Sequence, residues 1–413
     1  EILRCLVGSE MCIRDRDVTD VTDLKLRFGW GQVGNDKIGD DAFVLNMFNT
    51  GPTFVDYVFG KDQQLANGAT ILTWINQGGR WETTEQLSLG IDFGFWNNRL
   101  TGSIDGFIRN TSDMLMPVNA PAFVGNRYAG SANVGDVRNR GIEISLEHRN
   151  TVNDFEYSIG GNISFIDNKL THLNGGSSIP VWASNERMVQ MVDEGHSLYY
   201  FTGYKNLGIF KTDEEALEYL DGYTALDIPY HAGDSKYFDR NNDGKITDED
   251  RMDLGSSIPW LNYGLNFGAW WKGFDLQLFF QGVGGNKIYN MKRAFLESDG
   301  TSSVISPVMK DAWTKDNPNG TIANPRNSIN YEISDRFLED GSYFRLKNVQ
   351  LGYSLPSKVL KPAGFQNCRF YVQASNLFTL TKYTGYDPEV SGGVDYGNYP
   401  QSRTFIFGVN IVF

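Results

Sequence analysis

The 413-residue chain has no run of about 18 apolar residues, the length that marks a transmembrane helix, so it crosses no membrane that way. It also lacks a basic balance. Lys and Arg number 37 against 50 Asp and Glu, giving a net charge of −13. Phosphate binding needs a cationic face, so this balance argues against a nucleic-acid partner. Cysteine is scarce: Cys5, Cys12 and Cys368 supply no disulfide framework and no Cys-based metal site. The four histidines, His148, His172, His196 and His231, form no spaced metal pair and neighbour no nucleophile elbow. Gly282-Val283-Gly284-Gly285 lacks the strand–helix context of a dinucleotide loop. No catalytic constellation is legible, and the chain reads as a non-enzyme. Two of the cysteines fall in Glu1–Arg16, a stretch unlike the rest that resembles translated adapter read-through. Residues 1–16 are expected to be a non-native leader and are set aside. Without an initiator Met or secretory signal, the true N-terminus is expected to lie elsewhere.

What the chain does have is glycine (45) and aromatics (27 Phe, 20 Tyr, 9 Trp) in segments of strict two-residue alternation. In 85–96, Leu87, Leu89, Ile91, Phe93 and Phe95 alternate with Gln86, Ser88, Gly90, Asp92 and Gly94. Segments 24–33, 99–110, 141–149, 154–166, 261–271, 274–283, 343–355, 368–378 and the last, ending at Phe413, read similarly. Such alternation sets one face against an apolar medium and the other against a polar one. A β-sandwich and a transmembrane barrel both satisfy it. The segments run about ten residues, the span of a tilted transmembrane strand, whereas sandwich strands run nearer five or six. Connections alternate between tight turns (Asn97–Asn98, Asn150–Asp154, Lys272–Gly273) and long excursions, the pattern of outer-membrane barrels. Counting Ser197–Phe210 as a hairpin within the excursion 167–259 gives ten spans, which puts the first strand's start and Phe413 on the same, periplasmic side. Phe413, closing an alternating aromatic strand, resembles the signal read by the outer-membrane insertion machinery.

The ordered set of short motifs then resembles the C-terminal part of a SusC/RagA-type TonB-dependent outer-membrane transporter across nearly all of 17–413. It includes Asp23-Leu24-Lys25-Leu26-Arg27, Gly90-Ile91-Asp92-Phe93, Asn139-Arg140-Gly141-Ile142-Glu143, Gly255-Ser256-Ser257-Ile258-Pro259, Gly341-Ser342-Tyr343-Phe344-Arg345-Leu346-Lys347-Asn348 and Tyr386-Asp387-Pro388-Glu389. The resemblance implies an all-β fold, a transmembrane antiparallel barrel of which this chain supplies about the last ten of 22 strands. The plug and TonB box have no counterpart here. It also implies active import of a glycan or peptide, a SusD-like surface lipoprotein as partner, the TonB complex acting through the missing N-terminal part, and surrounding outer-membrane lipid. Expressed alone, the segment is expected to form no stable closed barrel, because two unpaired edges remain.

The sharpest local motif is Asp239–Asp250, which fits a twelve-position calcium loop. Asp239, Asn241 and Asp243 stand at positions 1, 3 and 5, Gly244 at the turn, the Lys245 carbonyl at 7, and Asp250 at 12. A solvated turn held by its own side chains satisfies the same spacing. A structural Ca²⁺ stiffening the long excursion is the expectation, without an EF-hand pair. Thr212 through Glu215 reads as a capping box opening a short helix. Trp30, Phe95, Trp96, Tyr263, Trp270 and Trp271 are expected in interfacial girdles. Trp74, Trp81, Trp182, Tyr199, Tyr200, Tyr331 and Tyr396 lie in loops, where they could stack on sugar rings. Two competing readings are a self-contained ten-stranded barrel acting as a surface protease and a soluble carbohydrate-binding β protein. The second would leave large apolar bands in water.

Overall fold

The computed structural model describes residues 11–12, 20–35, 48–49, 56–71, 76, 78–118, 130–176, 178–182, 188–219, 229–297, 305–325 and 328–413. Its centre is an antiparallel sheet in which ten long strands follow one another in chain order. They are β1 (Val21–Asn35), β2 (Glu82–Phe95), β3 (Leu100–Val118), β4 (Gly130–Val152), β5 (Phe155–Leu173), β6 (Leu261–Trp271), β7 (Phe274–Gly284), β8 (Tyr343–Ser354), β9 (Asn367–Thr381) and β10 (Thr404–Val412). The two-residue strand Met11–Cys12 pairs outside β1. The sheet is open, with β10 at its other edge.

The short connections gather at one end. Trp96, Asn97 and Asn98 turn between β2 and β3 at φ of 54°, 56° and 60°; Lys272 and Gly273 turn between β6 and β7 at 47° and 89°. Asn and Gly tolerate this left-handed region, which tight hairpins need if they are to match strand twist. Val21 pairs with Phe95 beside the first turn, and Val412 accepts from Gln366 N (2.7 Å) beside the β8–β9 connection. The start of β1 and the end of β10 therefore share an end, as the even count requires. Ser197–Phe210 does not span; its strands Tyr200–Gly203 and Asn206–Ile209 belong to small separate sheets.

Register converts alternation into two faces. Leu26, Ile91, Ile104, Ile144 and Ile163 stand side by side across β1–β5 on one face. The next row, Arg27, Gly90, Asp105, Glu143 and Ser164, points to the other. The apolar face is open: Phe28 is 65 % exposed and Leu89 61 %. Aqueous proteins do not leave such a band in water. In lipid, burying each such side chain is worth about 1.5–3 kcal/mol. Phe155 and Phe165 share this face ten residues apart. At roughly 3.4 Å per residue and a tilt of about 45°, they stand about 24 Å apart in height, matching the ~25 Å apolar band of outer-membrane barrels. Trp271, Phe274, Trp96 and Phe155 are exposed at the short-turn end. Trp270 departs from the expected girdle. It pairs with Glu156 and lies over Gly268 beside Ser158, on the polar face, because the alternation that turns Trp271 outward turns its neighbour inward.

β3, β4 and β5 run further than alternation indicated, to Val118, from Gly130 and to Leu173. Beyond residue 166 the outward face carries Asp167 and Lys169, so the apolar signal vanishes while pairing continues. The inner face supports the extension: Met114, Met116, Val137, Leu170 and Leu173 are buried with Val192.

Candidate functional site

The polar face carries ion pairs that bridge strands over glycine. Arg27 on β1 donates twice to Asp92 (Nε–Oδ2 and Nη2–Oδ1, both 2.7 Å) and reaches Asp105 on β3 (Nη2–Oδ2 2.9 Å). It passes over Gly90, where a Cβ would lie 2.2 Å from Asp105 Oδ1. At the far side, Arg369 on β9 donates to Asp275 on β7 (Nε–Oδ1 2.9 Å) over Gly352, whose Cβ would lie 2.4 Å from the same carboxylate. The inner wall is thus polar and charged, with ion pairs tied across strands, as a wet lumen requires.

Above the wall at the long-loop end, the excursions pack into a folded layer. Tyr204, Phe210, Ala216, Tyr230, Tyr237, Ile246 and Ile329 form one core. Val189, Phe201, Tyr289, Met291, Ala294, Ile333 and Phe337 form another. The helix Asp213–Tyr219 opens as expected, with Glu215 N donating to Thr212 Oγ1 (3.2 Å). The Glu215 carboxylate accepts from Lys211 N (2.8 Å), a residue earlier than a full capping box. That backbone donor and Lys236 hold its carboxyl below the usual range.

Strand β8 clasps the loop before β10. Arg345, 2 % exposed, donates to Thr379 Oγ1 (2.8 Å), Asp387 Oδ1 (2.8 Å) and Glu389 Oε2 (2.6 Å). Tyr343 OH also donates to Glu389 (2.9 Å). Burial opposes ionisation of Asp387, but the Glu389 N–H, Arg345 and the Gln401 N–H outweigh it and hold its carboxyl below the ordinary value. Tyr383 OH donates to Asp395 (2.5 Å); burial and that carboxylate push its phenol up. Glu297, 2 % exposed, accepts from Arg293 (2.6 Å) and Arg336 (3.1 Å). Charged groups taken out of water persist only with partners, and these have them.

The loop 239–250 closes on itself. Asp239 accepts from Asn242 N (2.7 Å) and Gly244 N (2.9 Å), Asp243 from Lys245 N (2.8 Å), and Asp250 from Arg240 N and Thr247 N (both 2.8 Å). Asp239 and Asp250 are buried, and Gly244 takes φ +80° at the sharp turn. Asn241 sits between, its Nδ2 on Asp243 (3.0 Å). The structure brings the loop's ends together. Among the described residues, no three His, Cys, Asp or Glu side chains converge as metal ligands.

Of the loop aromatics, Trp81 and Tyr396 are exposed, Tyr199 is half-buried, and Tyr200 and Tyr331 are buried. Trp74 and the Trp182 side chain lie outside the described residues. His196 donates or accepts at Asp253 (2.8 Å) and stacks on Tyr200 (4.3 Å). Phe413 is exposed, its ring 5.3 Å from Phe365. The glycine-bridged pairs and the Arg345 clasp escaped sequence reading. The bridged pairs leave the signal of opposite charges of one parity on strands two apart, whereas the clasp joins a strand to a loop and leaves none.

Comparison with known proteins agrees with this geometry. Residues 17–377 match the family model described as TonB dependent receptor-like, beta-barrel. TonB-dependent receptor P3 of Formosa agariphila is 32 % identical over 416 residues, covering 96 % of this chain and 40 % of that protein. TonB-dependent receptor SusC of Bacteroides thetaiotaomicron is 27 % identical, covering 96 % and 38 %. The solved RagAB peptide transporter superposes with a TM-score of 0.78 at 25 % identity, covering 96 % and 41 %. The chain spans about two fifths of the length of the curated relatives it matches.

Proposed function

The chain belongs to the TonB-dependent receptor-like β-barrel family of the outer membrane, and on that premise we propose that it forms the ten-strand arc of an importer for glycan or peptide nutrients. The observation that carries the reading is the two-faced sheet. An apolar outward band about 24 Å tall backs an inward polar wall carrying cross-strand ion pairs, beneath a folded extracellular layer. A polar wall of that kind suits the passage of polar oligomers. Glycan and peptide share that chemistry. The relatives are TonB-dependent receptors, and the solved neighbour is a peptide transporter. The layer of packed loops supports a surface lipoprotein of the SusD or RagB kind as lid, and the family supports energy coupling through TonB.

The test is deletion of the gene for the whole receptor, followed by growth on oligosaccharides or on peptides as sole carbon source. Growth should fail on one of the two classes, return with the intact gene, and fail again without a working TonB complex. Undiminished growth on every such source would overturn the reading.

Loop 239–250 is proposed to hold a structural Ca²⁺ through Asp239, Asn241, Asp243, the Lys245 carbonyl and Asp250. The ligand spacing, the left-handed Gly244 and the buried end carboxylates support this. Calorimetric titration of the intact receptor with Ca²⁺ should give heat that Asp243→Ala removes. No heat in either protein would leave a turn tied only by its own backbone.

A further inference from the structure

The outward face is not uniformly filled. Gly102 on β3 is covered by Phe93 and Leu146, which would stand 2.6 and 2.7 Å from a Cβ there. Gly106, four residues on, has among the described residues only Leu89 O, at 4.0 Å. Its backbone therefore does not need glycine, yet the space in front of it is open. The result is a furrow of about 780 Å³, walled by Leu87, Leu89, Ile108, Ile142, Phe165 and Trp260. Trp260 stacks on Phe165 (6.1 Å, 17°) and closes one side. The furrow lies within the lipid-facing band, so its occupant comes from the membrane.

At its upper rim, which Arg140 and Asp167 line, the same face turns charged. Ile108 pairs with Arg140, and Arg140 pairs with Asp167 and is bridged to it (Nε–Oδ2 2.8 Å). One row further out, Arg138 stands directly opposite Lys169. Like charges facing each other across an antiparallel pair are destabilising. Neither has an ion-pair partner among the described residues. The acids of this face are engaged: Asp167 with Arg140, Asp136 with Asp113 N (3.1 Å), and Glu85 with Trp30 Nε1 (2.8 Å). Lys169 lies four residues beyond Phe165, about 10 Å higher at a tilt of ~45°. That is headgroup level on the long-loop side.

We propose that this furrow and the Arg138/Lys169 pair form a binding site for a phosphorylated glycolipid of the outer leaflet. An acyl chain lies over Gly106 against Leu89 and Ile142, and a phosphate sits between the two cations. The site is independent of what the receptor imports, because it lies on the opposite face from the lumen.

The intact receptor, purified in detergent and delipidated, is titrated with bisphosphorylated lipid A and followed by native mass spectrometry. Each cation near a membrane surface is worth roughly fivefold in affinity for an anionic lipid. The double variant R138Q/K169Q should therefore bind about 25-fold more weakly, with Arg140 left in its pair. Gly106→Leu, whose Cβ would stand 4.0 Å from Leu89 O, projects into the furrow and should weaken binding while leaving the charges intact. Dephosphorylated lipid A and phosphatidylcholine should bind wild type and R138Q/K169Q equally. Heat-modifiable migration shows that each variant is folded. Equal lipid A retention in all three proteins would overturn the proposal. So would a receptor dimer that the variants dissociate, which would make this face a contact between copies.

Discussion

Replacing Arg345 with Ala should release the loop before β10 without unfolding the wall. Removing one partner of a buried ion pair costs about 3–5 kcal/mol, because the other charge stays behind unpaired. Here both carboxylates retain partners. Glu389 keeps Tyr343 OH (2.9 Å) and Lys347 (3.3 Å), and Asp387 keeps the N–H groups of Glu389 (2.9 Å) and Gln401 (3.2 Å). The cost therefore falls at the low end, about 3 kcal/mol, which is roughly a hundredfold in a local opening equilibrium. Hydrogen exchange on the intact receptor reads it directly. The Gly397 and Asn398 amides, which donate to Asp395 (2.8 and 2.9 Å), should exchange about a hundredfold faster. Ladder amides between β2 and β3 should not change. Arg345→Lys should recover part of the effect, since one ammonium cannot span Thr379 and both carboxylates. A change below about fivefold in R345A would refute the claim that this clasp holds the loop.

Other perturbations follow from the same geometry. Gly90→Val places a Cβ 2.2 Å from Asp105 Oδ1 and 3.0 Å from the Arg27 guanidinium, so it should cost about 2 kcal/mol and lower the temperature of the heat-modifiability transition; Gly106→Ala, with open space, should not. Asp387 has a folded value below its ordinary 3.8, so its contribution is complete above that pH and is lost as pH falls through the lower folded value. Exchange in the 387–401 loop should therefore rise in acid and not in mild alkali, and Asp387→Asn should flatten that dependence. Ile144→Arg, outward near mid-height, should cost about 2–4 kcal/mol in membrane refolding titrations, whereas Ser145→Arg, facing the lumen, should cost far less.

The spans were legible because each outward residue in a lipid-facing strand must be apolar, which writes a period of two into the sequence. Leu87, Leu89, Ile91 and Phe93 announce β2 without any tertiary information. The strand ends were not legible where that constraint stops. Asp167 and Lys169 look like loop residues, yet β5 continues through them on the strength of Leu170 and Leu173 packing inward. Nearness to a strand end says nothing of face, which is why Trp270, of opposite parity to Trp271, lies outside the girdle. The lumen pairs were invisible for a different reason. Arg27 and Asp105 are 78 residues apart and meet only because Gly90 is empty between them. The motif stretches around Arg345 and Asp387 stood out in the chain, but their contact depends on loop closure that no local pattern encodes. For loop 239–250 the spacing put the two end carboxylates in one turn, where the structure also has them.

The central claim is that one face of the sheet meets lipid and the other water. Nitroxide labels at successive positions 86–93 of the intact receptor, reconstituted in bilayers, test it most directly. Collisions with oxygen should peak at 87, 89, 91 and 93, and collisions with a water-soluble nickel complex at 86, 88 and 92, a period of two along β2. Uniform water accessibility, or accessibility with no alternation, would contradict the account.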